Sequence, residues 1–354
     1  MYSSKFLWPS TKFRRRQFLC LFLIIITTFF IFSLLYTAEK TNKYRRIALG
    51  LLSNAVHLNF LAPKTPCSLP LYNSSHGPIN ADTDTVPGLS ELVEELGPNL
   101  VPGGHFIPPH CRSQHRVAII VPFRERQIHL KIFLRHMHPF LQRQNLEYGI
   151  FVVEQAEGQL FNRAILMNIG FVESLKLRDY DCFVFHDVDL LPLDDRNYYT
   201  CGDHPVHLSA SIDVHGNRLM YQNIFGGASM LTRDMMSRVN GFSNVYFGWG
   251  GEDDDMSYRV RSHGMLISRY EPWVATYTMM RHAKENQEDR TQLLASSRNR
   301  IHKDGLNTLK YKLLDLKLLP LYTWVYVQVN QTQLLDDLNV TLKKSTNRKH
   351  DKHD

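Results

Sequence analysis

Residues 247–255 read Phe-Gly-Trp-Gly-Gly-Glu-Asp-Asp-Asp, four consecutive carboxylates behind a glycine-rich turn. Like charges in a row repel, so a compact fold keeps them where something cationic or catalytic uses them. A solvated helix N-terminus would also tolerate the run, because acids favour the positive end of the helix dipole and glycines supply the turn. A second acidic site favours chemistry: Phe185-His-Asp-Val-Asp189 closes an apolar run and is followed by Leu-Leu-Pro. An Asp-x-Asp at a strand end can hold a hard divalent cation through at least one carboxylate, and Mg²⁺ or Mn²⁺ bound this way usually bridges to substrate phosphates. A nucleoside diphosphate is the natural ligand of such a pair. Pro122-Phe-Arg-Glu-Arg126 adds guanidinium groups for phosphate and an aromatic for a base. In Met279-Met-Arg-His282, ligand chemistry alone points to His282, since a thioether is a poor donor to a hard metal.

These residues need a scaffold that brings distant segments together. Val117–Val121 reads as a buried strand halted by Pro122, and Leu130, Phe133, Leu134, Met137 and Leu141 follow at helical spacing. A strand over 150–153, a helix with Phe161, Ile165, Ile169 and Val172 on one face, and a strand over 182–186 continue the alternation. The pattern predicts a mainly parallel α/β sheet with ligands at the carboxyl ends of its strands, where Asp187 and Asp189 sit. Beyond them come a Phe225-Gly-Gly turn, a helix entered by the acidic run and reaching about His263, and a strand over 266–269.

The chain has 354 residues, 44% of them hydrophobic, enough for one large domain or two modest ones. Residues 18–36 carry no charge and follow Lys12, Arg14, Arg15 and Arg16. As a helix they would span roughly 28 Å, and the basic flank would stay cytoplasmic. A cleaved signal peptide is the competing reading; the long apolar core with no small-x-small site after it favours a retained anchor. The net charge of +7 reports this topology: residues 1–46 hold nine Lys/Arg against Glu39, so the remainder is close to neutral and carries no nucleic-acid footprint. Past Cys20, inside the apolar segment, four cysteines remain, Cys67, Cys111, Cys182 and Cys201. An even count in an exported chain favours two disulfides, with three pairings open. The sequons at Asn73, Asn330 and Asn339 agree with a secretory compartment. The expected layout is a cytoplasmic tail over 1–17, a membrane anchor over 18–36, a luminal stem over 37–109, a catalytic domain over 110–342 and a basic disordered tail over 343–354.

Taken in order, Pro122-Phe-Arg-x-Arg, Phe161-Asn-Arg-Ala164, Phe185-His-Asp-Val-Asp, Phe225-Gly-Gly, Gly-Trp-Gly-Gly-Glu-Asp-Asp-Asp255, Met279-x-x-His and Asp304-Gly-Leu-Asn307 closely resemble the β1,4-galactosyltransferase family. The resemblance covers roughly 67–314. It implies a Golgi type II membrane enzyme with a GT-A fold, a single Rossmann-like mixed sheet flanked by helices. By the same resemblance Asp189, Met279 and His282 would bind Mn²⁺. Pro122, Phe123, Arg124, Arg126, Phe161, Arg163, Asp187, Val188 and Trp249 would line the UDP site. Tyr221 and Trp249 would face the acceptor, Glu252 and Asp254 would hold sugar hydroxyls, and Asp253 would be the general base. The disulfides would join Cys67 to Cys111 and Cys182 to Cys201. The reaction would invert the donor's α-linkage to a β-glycoside, Asp253 taking the proton of an acceptor 4-hydroxyl.

Two positions depart from the family's pattern. Its galactose-specific members carry Tyr directly before Phe-Gly-Gly, against the donor sugar's C2 substituent; Ile224 here, beside Gly227, would open space for an N-acetyl group. The expected donor is therefore UDP-GalNAc, with UDP-Gal the alternative. Where vertebrate-type members of the family have Arg-Phe in the acceptor pocket this chain has Asp289-Arg-Thr291, leaving Arg290 as the expected contact and terminal GlcNAc as the expected acceptor. The segment over 280–300 would be the family's mobile lid. A catalytically silent lectin-like protein on the same fold is the alternative of a different class; it would be expected to lack Asp189, His282 or Asp253, and all are present.

Overall fold

The structure is a computed structural model that describes residues 65–67, 76–282 and 290–340. The expected cytoplasmic tail, membrane anchor, early stem, the Asn73 sequon, Asp289 and the basic tail lie outside these residues. Among the described residues no helix is long and apolar enough to cross a membrane.

In chain order the elements are α1 (Leu89–Leu96), β1 (His105–Phe106), β2 (Arg116–Phe123), α2 (Gln127–Arg143), β3 (Glu147–Gln155), α3 (Arg163–Leu177), β4 (Cys182–His186), β5 (Leu190–Pro192), β6 (Val206–His207), β7 (Ser211–Ile212), β8 (Ala228–Thr232), α4 (Arg233–Arg238), α5 (Glu252–Ser262), β9 (Thr276–Met279), α6 (Thr291–Arg300), β10 (Lys312–Leu318), β11 (Thr323–Gln328) and α7 (Gln331–Asp337). The main sheet runs β10-β11-β3-β2-β4-β8-β6 with β1 on β3. Its centre, β11, β3, β2 and β4, is parallel. The flanking pairs β10/β11, β4/β8, β6/β8 and β1/β3 are antiparallel. The sheet is therefore mixed rather than mainly parallel, and it is not the only one: β5, β9 and β7 form a second, three-stranded sheet.

Residues 117–121 of β2 are fully buried, as expected of a parallel strand covered on both faces. Val117, Ile119 and Val121 join Tyr148, Ile150 and Val152 of β3 and the apolar stripe of α2 in one core. The helical spacing of Leu130, Phe133, Leu134, Met137 and Leu141 is what directs that stripe inward. On α3, Ile165 and Ile169 are buried, and Phe161 lies before the helix, whose N-cap is Asn162 accepting from the Ile165 amide at 2.9 Å.

Several expected boundaries move. Pro122 does not halt β2 but lies inside it, opposite Val153. Pairing with β4 stops at Ile120, so the missing proline N–H removes no ladder bond on that side. No strand forms over 266–269; that segment makes an isolated bridge, Ser268 to Val206. The folded domain also begins before Cys111, since Leu92, Leu96 and Phe106, all in the stretch expected as stem, lie in the core. The disulfides join Cys67 to Cys111 and Cys182 to Cys201.

Burial also sets a pH limit. His105, His138, His186 and His207 are almost inaccessible, and burial pushes their pKa values down to about 3 for His105 and His207 and about 4 for the other two. Each is neutral when folded and takes up a proton more readily when unfolded, so the stability present above about 6.5 is lost as pH falls towards 4. Glu252, raised to about 7 by burial and then by Asp253, acts in the opposite sense, as do Asp189 and Asp253, each raised by burial and then by a neighbouring carboxylate; burial also lowers His129 and His136, which leaves six imidazoles against three carboxyls. Thermal unfolding at pH 5 is expected to occur ~5 °C or more below that at pH 7.5; an unchanged midpoint would contradict the neutral assignment.

Candidate active site

The carboxyl ends of β2 and β4 open into a cleft of about 790 Å³. At the end of β2 the chain turns sharply through Glu125, whose φ of 52° is left-handed and costs a non-glycine residue about 1 kcal/mol. The turn brings Arg124 and Arg126 to the cleft. The Arg124 guanidinium lies 5.2 Å from the Phe161 ring centroid and donates to the Gln159 carbonyl at 2.8 Å. Arg163, at the start of α3, reaches across: its Nε is 2.5 Å from Asp187 Oδ1, its Nη1 3.6 Å from Glu252 Oε1, and its Nη2 donates to the Gly227 carbonyl at 3.3 Å. Burial opposes its charge, but Asp187 and then Glu252 more than compensate, so its pKa is raised.

Asp189 and His282 are 93 positions apart in sequence and 3.0 Å apart in space, Oδ2 to Nε2. The second sheet makes that contact. β5 begins directly after Asp189, Leu190 pairs with Met279 of β9, and the Met280 amide donates to the Asp189 carbonyl at 2.8 Å. Asp213 holds the end of β9, accepting from Thr278 Oγ1 at 2.6 Å and from the Met279 amide at 3.1 Å. Burial, then Asp187, raises the Asp189 pKa to about 6. Among the described residues no group of three His, Cys, Asp or Glu surrounds one point. The donor set Asp189, His282 and Met279 nevertheless lines one wall of the cleft. One carboxylate and one imidazole suit a divalent cation that a diphosphate would also ligate, and poorly suit a fully protein-caged ion; the Met279 thioether is a soft donor that this chemistry alone would not choose.

The acidic run opens α5, with Gly251 at the N-cap and φ of 90°. Successive residues on a helix are turned by about 100°, so the run divides between cleft and core. Glu252, Asp253 and Asp254 line the cleft. Asp255 faces the opposite way, fully buried, with Arg259 Nε at 2.5 Å, Arg300 Nη2 at 3.3 Å, Ser297 Oγ at 2.6 Å and Tyr246 OH at 3.0 Å. Glu252 Oε2 is buried without a hydrogen-bond partner among the described residues. Asp254 accepts from Tyr221 OH at 2.8 Å. Burial, then Asp254, raises the Asp253 pKa, as suits a proton acceptor. Gly226 backs Asp253 so closely that a Cβ there would lie 2.6 Å from Asp253 Oδ2; only glycine leaves room for the carboxylate.

The cleft thus gathers Pro122, Arg124, Arg126, Phe161, Arg163, Asp187, Val188, Asp189, Tyr221, Ile224, Gly227, Trp249, Glu252, Asp253, Asp254, Met279 and His282. Two expected residues are not among them. Phe123 is 3% exposed and belongs to the core, because neighbours in a strand point to opposite faces and Pro122 and Arg124 take the cleft side. Arg290 is buried behind the Phe247–Gly251 turn, where it donates to the Phe247 carbonyl. His207, Ser209, His215 and Met220 also line the cleft, and no local motif marks them. The sequons differ in their environment: Asn330 is exposed as the N-cap of α7, accepting from the Gln333 amide at 3.1 Å, and Asn339 is exposed past its end.

Comparison with known proteins agrees with this arrangement. Residues 67–202 match the family profile described as the N-terminal region of glycosyl transferase group 7, and residues 206–283 the profile described as the N-terminal domain of galactosyltransferase. Mouse β-1,4-galactosyltransferase 1 is 46% identical over 257 residues, covering 72% of this chain and 64% of that protein. Chinese hamster β-1,4-galactosyltransferase 4 is 47% identical over 241 residues, 67% of this chain and 70% of that protein. The chain thus spans a little under two thirds of the mouse relative's length. The catalytic domain of Drosophila β1,4-galactosyltransferase 7 in complex with xylobiose superposes with a TM-score of 0.53 at 32% identity, covering 61% of this chain and 94% of that one. A mutant of the same domain, in complex with manganese, UDP-Gal and xylobiose, gives 0.52 at the same identity.

Proposed function

The chain belongs to the β1,4-galactosyltransferase family of glycosyl transferase group 7, and from that premise we propose that it is an inverting, manganese-dependent glycosyltransferase moving a galactose-configured sugar from UDP to the 4-hydroxyl of a terminal GlcNAc. The observation that carries this reading is the one cleft lined by the Asp189–His282 pair, the Arg163–Asp187–Glu252 bridge and Asp253 together. The manganese and UDP-Gal held by the Drosophila relative support the cofactor and donor class.

In this reading Arg124 and Arg126 neutralise the diphosphate, and Phe161 with Arg124 flanks the uracil ring. Bound at Asp189, Met279 and His282, manganese would stabilise the charge on the departing UDP. Asp253 accepts the acceptor hydroxyl's proton while that oxygen forms its bond to the anomeric carbon. The carbon–phosphate-oxygen bond breaks on the opposite face, and its electron pair leaves with UDP. Asp254, oriented by Tyr221, and Glu252 hold sugar hydroxyls, and exposed Trp249 offers a stacking face to the acceptor. The uncharged segment over 18–36 would anchor the domain in the Golgi membrane as a type II protein.

The relatives' names support galactose as the sugar moved. One observation favours N-acetylgalactosamine: Ile224, an aliphatic residue, lines the cleft, directly before Phe225-Gly-Gly, where the resemblance implies a tyrosine in galactose-specific members. A radiolabel comparison of UDP-GalNAc with UDP-Gal on a GlcNAc-terminated acceptor, with and without Mn²⁺, tests both levels. Transfer that needs Mn²⁺ supports the enzyme reading; none from either donor sinks it. GalNAc transfer that Ile224→Tyr lowers by about 10–100-fold relative to galactose supports the acetamido pocket, whereas strict galactose transfer by the wild type refutes it.

A further inference from the structure

The loop from Tyr221 to Gly227 carries Ile224 and Gly226 but has no regular structure of its own, so its position depends on what holds its carbonyls. Arg269 does most of this from outside the cleft. Its Nη2 donates to the carbonyls of Gln222 at 2.9 Å and Ile224 at 2.8 Å. Its Nε lies 3.1 Å from His207 Nδ1, and His207 Nε2 lies 3.1 Å from the Gly226 carbonyl. Arginine has only donors, so His207 Nδ1 must accept, the ring proton sits on Nε2, and Nε2 donates to Gly226. Elsewhere in the loop the Asn223 carbonyl accepts from Ser257 Oγ of α5 at 2.5 Å, and the Gly227 carbonyl accepts from the Asp187 amide at 3.1 Å and from Arg163. The bridge between Ser268 and Val206 holds Arg269 beside His207. Two carbonyls, those of Gln222 and of Ile224 itself, therefore depend on one guanidinium, and that of the glycine behind Asp253 is shared between the His207 imidazole and Ser209 Oγ, which donates to it at 3.2 Å. A lysine could not replace the fork, because an ammonium is a single point of charge.

We infer that Arg269, directly at Ile224 and through His207 at Gly226, is a positioning residue for donor selection: it fixes where Ile224 stands and thereby sets the preference between a C2-hydroxyl and a C2-acetamido sugar. The inference rests on the proposed UDP-sugar reading and adds to it a residue that does not line the cleft. Binding of UDP-GalNAc, UDP-Gal and UDP itself to the full chain with Mn²⁺, measured by calorimetry, gives a preference that needs no turnover. In Arg269→Met the ratio of the two donor affinities is expected to change by about tenfold or more while UDP affinity stays within about twofold of wild type. Arg269→Lys should fail to restore the ratio, and His207→Gln, which keeps a donor towards Gly226 but disrupts the relay, should shift it in the same direction. These two variants read the same ratio if the methionine variant does not fold. A ratio within about twofold of wild type in the folded variants, whatever happens to stability, overturns the inference. Absence of transfer by a wild type that still binds both donors would count against the proposed reaction instead, and the affinity ratio would still judge Arg269.

Discussion

Replacing Asp253 by Asn is expected to lower kcat by about 10²–10⁴-fold, the range a positioned general base supplies, while UDP affinity with Mn²⁺ changes by no more than about twofold. Asparagine keeps the size of the side chain and the room left by Gly226, and removes only the capacity to take the hydroxyl proton. Asp253 lines the same cleft but takes no part in the Asp189–His282 contact, so the nucleotide end should not register the change. Steady-state kinetics with a UDP-release readout, paired with calorimetry of UDP, separates the two effects. Turnover within tenfold of wild type would remove Asp253 from the role of base.

The second large effect is structural and lies directly behind the first. Arg259 is fully buried on α5, between Asp255 and Asp304. Its Nη1 also donates to the carbonyls of Asp304 at 2.7 Å and Gly241 at 3.3 Å. Asp304 in turn accepts from the Asn244 amide at 2.7 Å, and Arg300 of α6 closes the set onto both carboxylates. Arg259→Met would fill much of the volume but leave two acids facing one remaining arginine. Breaking a buried charge set by removing one partner costs about 3–5 kcal/mol. Urea unfolding of the variant should show that loss. A cost below about 1 kcal/mol, the worth of a surface pair, would show that the network is solvated in solution.

The same helix shows what a sequence can and cannot disclose. Four acids behind glycines signal a site, and the periodicity of a helix requires them to diverge, yet only the fold decides that Asp255 turns to the core and Asp253 to the cleft. Long, strongly patterned elements were legible: the apolar run of β2 and the stripe of α2 each allow one way of burying their surface. The β5, β9 and β7 strands are two to four residues long and too short for periodicity, so the sheet that brings Asp189 to His282 left no local trace. Met279 entered only through resemblance, because ligand chemistry alone would not choose a thioether. The motifs around Phe123 and Arg290 point both residues to the site. Strand alternation turns the first away, and the second is spent on the Phe247 carbonyl. His207 and Arg269 are 62 positions apart, and nothing local connects them.

An electron paramagnetic resonance titration of Mn²⁺ into the protein with UDP present addresses the cleft directly, because it reads the cation without requiring transfer. Wild type is expected to show saturable binding that His282→Ala and Asp189→Ala each weaken by at least about tenfold, with Asp253→Asn binding as wild type does. Equal Mn²⁺ affinity in all four proteins would mean that the Asp189–His282 pair holds no metal, and the proposed reaction would lose its centre.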